Sequence, residues 1–138
     1  MKAVDLPKVG DLIPSRTFGP ITRTDIVRYA GASGDFNPIH HDEGVATAAG
    51  YPSVFSIGML QAGLLATCVT DWLGADAVGA FSVQFRKQVW PGDVLTCSGS
   101  VKSVERDGDM ARVVLSITCD RDSEAVMTGE AEFNLDAE

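Results

Sequence analysis

The sequence predicts an α+β fold, one long apolar helix wrapped by an antiparallel sheet. Three observations carry this. Residues 54–70, VFSIGMLQAGLLATCVT, hold no charge, so a helix there is apolar on every side and is expected to be buried all round. Downstream, apolar and polar residues alternate in four runs, the period of strands with one buried face. The residues between runs are turn formers suited to antiparallel connections.

The elements follow in chain order. Residues 10–20 supply a fifth strand. Thr22 or Thr24 caps a helix running to about Ala30, with Thr22 and Asp25 as a weak capping box and Gly31 and Gly34 at its end. The stretch GDFNPIHHD, residues 34–42, turns at its Asn-Pro pair. A short helix spans Glu43 to Ala49 and breaks at Gly50, Tyr51 and Pro52. The long helix starts near Phe55 with Ser56 as its cap and stops at Gly74. Phe81, Val83 and Phe85 open the sheet, and WPGD at 90–93 makes a turn. Leu95, Cys97, Gly99 and Val101 continue it. Asp107-Gly108 is the hairpin signal before Val113, Leu115, Ile117 and Cys119. A last run covers Ala125 to Leu135. An uncovered edge strand invites pairing, so a homodimer joined through sheet edges is expected.

The 138 residues fit one domain, 1–138, and 45% hydrophobic content is enough for a core. A net charge of −8 argues against nucleic acid, which needs a positive surface. No basic amphipathic stretch suggests a membrane surface. The uncharged run is shorter than the roughly 20 residues of a membrane span, contains Gln61 and ends at Asp71. Cys68, Cys97 and Cys119 match no metal-binding spacing and read as buried thiols of a reducing compartment. MKAVDLPKVG lacks the apolar run of a signal peptide, so a cytoplasmic location is expected.

The only two histidines, His40 and His41, lie in the 34–42 stretch. Adjacent side chains diverge, whereas metal-binding helices space histidines at i, i+4, so no metal site is expected. No GxSxG elbow surrounds Ser33 or Ser56. Acid/base chemistry fits better. Asp35 and His40 stand on either side of a turn stiffened by Pro38, and histidine exchanges protons near neutrality. Asn37 either hydrogen-bonds the loop backbone or holds Asp35. On spacing alone a second reading stands, with Asp35 and Asn37 as turn formers and His40 a surface residue.

The run YAGASGDFNPIHHDEGVATAAGYPSVFSIGML, residues 29–60, resembles the hydratase-2 signature of MaoC-like dehydratases. That family includes (R)-specific enoyl-CoA hydratases and bacterial (3R)-hydroxyacyl-carrier-protein dehydratase subunits. The heart of the likeness is Ser33-Gly34-Asp35-Phe36-Asn37-Pro38-Ile39-His40, and it extends to Gly58-Met59 and Val89-Trp90-Pro91-Gly92-Asp93. The resemblance implies a hot-dog fold, Asp35 and His40 as the catalytic pair, and an enoyl thioester of CoA or acyl carrier protein as substrate. It implies no cofactor and no role for His41. The division of acid and base between Asp35 and His40 stays open.

Gly58, in the first turn of the long helix, offers an unpaired N–H to the enolate oxygen. The alternative is close helix packing together with Ala62, Gly63 and Ala66. Ile57 departs from the family, where many relatives carry His, and suggests a more apolar acyl site. Arg86, Lys87 and Lys102 form a locally basic set that either meets substrate phosphates or lies on solvated strand faces. Two other functions share the fold: thioester hydrolysis, and a partner subunit of a heteromeric dehydratase.

Overall fold

The alternating runs pair into one five-stranded antiparallel sheet. The computed structural model describes residues 5–137. Its elements are β1 (Arg16–Phe18), α1 (Arg23–Ser33), α2 (Glu43–Ala48), α3 (Gly58–Leu73), β2 (Val78–Phe85), β3 (Leu95–Asp107), β4 (Met110–Arg121) and β5 (Glu124–Asp136). The strand order is β1-β3-β4-β5-β2, which leaves β1 and β2 at the edges.

Register puts one apolar set toward α3. Val113 pairs with Phe133, and Leu115 with Ala131. All four are fully buried, as are Leu65 and Val69 of α3. Each large side chain buried this way contributes about 1.5–3 kcal/mol. The sheet and α3 therefore share one core, and this is the α+β architecture of the hot-dog fold. No helix among the described residues is long and apolar enough to cross a membrane.

Local signals place most boundaries. Thr22 accepts from the Asp25 N–H and the Asp25 carboxylate accepts from the Thr22 N–H, a complete capping box. The helix runs three residues past Ala30, to Ser33, because Gly34 and not Gly31 takes the left-handed cap, at φ 76°. Asp42 is the N-cap of α2, accepting from the Val45 N–H, and Glu43 stands in its first turn.

Three expectations need correction. Ser56 does not cap α3: the helix begins at Gly58, Ile57 is the N-cap residue, and no side chain caps it. The Ser56 hydroxyl instead donates to Gln61 Oε1, and the segment is pinned to the loop between β2 and β3 by Ser56 N–H to Val89 O. Nor is α3 buried all round. Met59, Gly63 and Thr67, spaced by four, face outward, because one sheet covers only one side of a helix. The hairpin loop is Gly108–Asp109 rather than Asp107–Gly108, since Asp107 pairs with Met110 across the ladder.

Candidate active site

The 33–42 loop is a chain of side-chain-to-backbone hydrogen bonds. Ser33 Oγ accepts from the Asp35 N–H, Asp35 Oδ1 from the Asn37 N–H, and Asn37 Oδ1 from the Ile39 N–H. Such Asx turns substitute for a backbone ladder where the chain must fold tightly. Asn37 thereby caps a single 3-10 turn, Pro38–His40, in which Pro38 takes the first position. The turn carries His40 inward and leaves His41 outside. The His41 Nε2 lies 3.4 Å from Phe36 O, on the exposed side of the loop.

His40 is held from behind. Its Nδ1 lies 2.7 Å from the Phe55 carbonyl oxygen. A carbonyl only accepts, so Nδ1 carries the proton, and in the neutral ring Nε2 is the free base. The Phe55 ring packs edge-on against the imidazole, and Trp90 packs edge-on against Phe55. The His40 side chain is 10% exposed, and its Nε2 stands 3.9 Å from Asp35 Oδ2. That gap is too long for a direct hydrogen bond.

Asp35 and His40 open onto a cavity of about 360 Å³. Gly58 lies on its wall, as the first residue of α3, so its N–H has no acceptor within the helix. A Cβ at Gly58 would stand 2.8 Å from Phe85 Cε1. A side chain at Gly58 would thus crowd an aromatic ring of β2, whereas a Cβ at Gly63 would meet nothing within 4 Å. Ile57, Phe85, Val126 and Met127 make another part of the wall apolar.

The basic set divides. Arg86 and Lys87 reach the cavity rim, while Lys102 pairs with Glu130 at 2.9 Å on the sheet. Lys87 also pairs with Glu124, and Arg86 donates from Nε to Thr128 Oγ1 at 3.1 Å. The WPGD turn is anchored by Asp93, which accepts from the Trp90 N–H at 2.8 Å and from the half-buried Arg121 at 2.6 Å.

Sequence reasoning missed Phe55, Ser56, Phe85 and Gln61 as parts of this site. Phe55 acts through its carbonyl, which carries no residue signature. Phe85 arrives from a distant strand. Gln61 did leave a signal, as the lone amide side chain in the uncharged run 54–70.

The chain matches the model described as MaoC like domain over residues 10–120. It is 33% identical over 100 residues to the enoyl-CoA hydratase ChsH3 of Mycobacterium tuberculosis, covering 70% of this chain and 32% of that protein. The chain thus spans about a third of that relative's length. It is 30% identical over 124 residues to an (R)-specific enoyl-CoA hydratase of Aeromonas caviae, covering 88% of this chain and 89% of that one. Its fold is similar to the crystal structure of the ChsH1–ChsH2 complex of Mycobacterium tuberculosis, with a TM-score of 0.82, 25% identity and coverage of 94% and 99%. With a family match over most of its sequence and a hot-dog fold, this chain belongs to the MaoC-like domain family.

Proposed function

We propose that this chain is a hydratase that adds water to trans-2-enoyl thioesters, giving (3R)-hydroxyacyl thioesters, and catalyses the reverse dehydration. The observation that carries the reading is the pairing of His40 Nε2 with Asp35 Oδ2 across 3.9 Å at the edge of one cavity. Two acceptors at that distance suit one water that donates to both. The R hand follows the similarity to the Aeromonas caviae hydratase.

In this reading the water oxygen forms its bond to Cβ while the pair takes one of its protons. The electron pair of the Cα–Cβ double bond moves toward the thioester, and charge gathers on the carbonyl oxygen. The Gly58 N–H, at the positive end of α3, receives that oxygen. The proton held by the pair is then delivered to Cα, so Asp35 and His40 return to their starting states. Asn37 touches no reacting atom and works through Asp35 and the 3-10 turn. Arg86 and Lys87, at the rim, meet the phosphate-bearing arm of CoA or of a carrier protein. The apolar wall takes the acyl chain, and Ile57 adds to it.

The chain is proposed to act as a homodimer. Edge strand β2 has eight residues and leaves Val78 and Phe85 exposed, whereas β1 has three residues. Pairing two β2 edges removes an exposed ladder. A related subunit in place of the second copy is the alternative, as in the ChsH1–ChsH2 assembly.

The test is incubation of the purified chain with crotonyl-CoA and with a crotonyl carrier-protein thioester. Loss of enoyl absorbance without free thiol is expected for at least one. Thiol release with the enoyl group intact identifies a thioesterase and overturns the proposal. A chain inactive alone and rescued by a related subunit assigns it to a heteromer.

A further inference from the structure

Two polar residues are buried among the described residues, Ser56 and Gln61, at 3% and 4% exposure. Both line the cavity that Asp35 and His40 face. Burying an amide is costly unless its donors and acceptors are used. Here one contact is plain: Ser56 Oγ donates to Gln61 Oε1 at 2.7 Å. That orientation gives the enclosed Ser56 hydroxyl proton its acceptor, and it turns Gln61 Nε2 the other way.

Gln61 Nε2 bonds to no acceptor among the described residues. Yet among the described residues no fully enclosed side-chain nitrogen or oxygen lacks a partner. Nε2 therefore touches the open space of the cavity rather than apolar core. Its position along α3 follows from helix geometry. Gln61 is three residues past Gly58, on the same side, and helical side chains lean toward the N-terminus. The bond to Ser56, two residues before the helix starts, shows that the amide lies back over the first turn. The side-chain N–H group thus lies by the turn that carries the free Gly58 N–H.

We propose that Gln61 is a second donor to the thioester carbonyl oxygen, acting through Nε2 beside the Gly58 N–H. This rests on the acyl-thioester reading of the site. Ser56 has a positioning role, since its hydroxyl fixes which end of the amide faces substrate. Two fixed donors hold a developing negative charge better than one, with no reorganisation as the charge forms.

The test uses the full chain and two variants. Gln61→Met keeps length and apolar bulk and removes the donor. Gln61→Glu keeps the Ser56 contact and replaces the donor with a carboxylate oxygen. The first readout is the infrared carbonyl band of bound hexanoyl-CoA labelled with ¹³C at the thioester carbon, a saturated compound that cannot be hydrated. The band is expected at lower wavenumber in the wild type than in Gln61→Met. The second readout is crotonyl-CoA hydration, where kcat is expected to fall about 10²-fold in Gln61→Met with KM changed far less. In Gln61→Glu the loss should be larger and its ratio to wild type should recover as pH falls and the carboxyl becomes a donor. Identical carbonyl bands, or a wild-type kcat in either variant, overturn the proposal. If Gln61→Met does not fold, Gln61→Glu decides by the same two readouts. A wild type that shows the band shift but hydrates no enoyl thioester overturns the hydratase reading and leaves the Gln61 contact standing.

Discussion

The 33–42 loop and the solvent face of the sheet are both dense in polar side chains, and they use them in opposite ways. In the loop, Ser33, Asp35 and Asn37 each accept a backbone N–H two residues on. Asp35 spends Oδ1 on this and keeps Oδ2 toward His40. On the sheet, Arg112 pairs with Glu132 at 2.6 Å and Lys102 with Glu130 at 2.9 Å, charge against charge in water. Exposed pairs contribute little, because water screens them and ordering long side chains costs entropy. A side chain that folds its own loop with one atom can hold a second atom in place for chemistry. A surface pair does neither, so changes to the two regions should differ sharply.

The widest separation comes from the pair itself. Asp35→Asn and His40→Ala should each slow hydration by about 10²–10⁴-fold with melting temperature near that of the wild type. A smaller loss is expected for Gly58→Ala, whose Cβ meets the Phe85 ring. The ring is exposed and can swing aside, so stability should change little while rate falls about 10-fold, a displacement near 1 Å being enough to cost that much. Asn37→Ala removes the cap of the 3-10 turn. It should cost about 1 kcal/mol of stability by denaturant titration and lower kcat without preventing folding.

The sheet should show the smallest effects. Arg112→Ala should leave kcat unchanged and move the melting temperature only slightly. Its signature is in acid. The Arg112 hydrogen bond holds the Glu132 carboxyl below the ordinary glutamate value. The stabilisation is present above the unfolded value and lost as pH falls through the folded one. Melting curves from pH 7 downward should therefore converge for wild type and variant once Glu132 is protonated. A large loss of rate in Arg112→Ala would erase the contrast between the two regions.

Much of this architecture was legible in the residues. Period-two runs located four strands, because each has one buried face and one wet one. The Thr22–Asp25 box and Gly74 marked helix ends through backbone groups that act locally. That Asp35 and His40 face one another was legible because only four residues separate them in a turn. What could not be read depends on distant partners. The uncharged start of α3 carries no clear mark of which side is left open, and Ser56 looks like a cap until the Val89 carbonyl of the β2–β3 loop claims its N–H. The β4–β5 turn at Asp122–Ser123 has φ of 50° and 63° without glycine, so it gave no warning. Gln61 was visible only as an oddity, and its meaning depends on which cavity its amide meets.

The most direct test of the paired Asp35 and His40 is a double-mutant cycle on crotonyl thioester hydration. If the two groups act on one water as a unit, Asp35→Asn combined with His40→Ala should be slowed about as much as either single variant. Losses that multiply, or single variants that turn over at the wild-type rate, would contradict it.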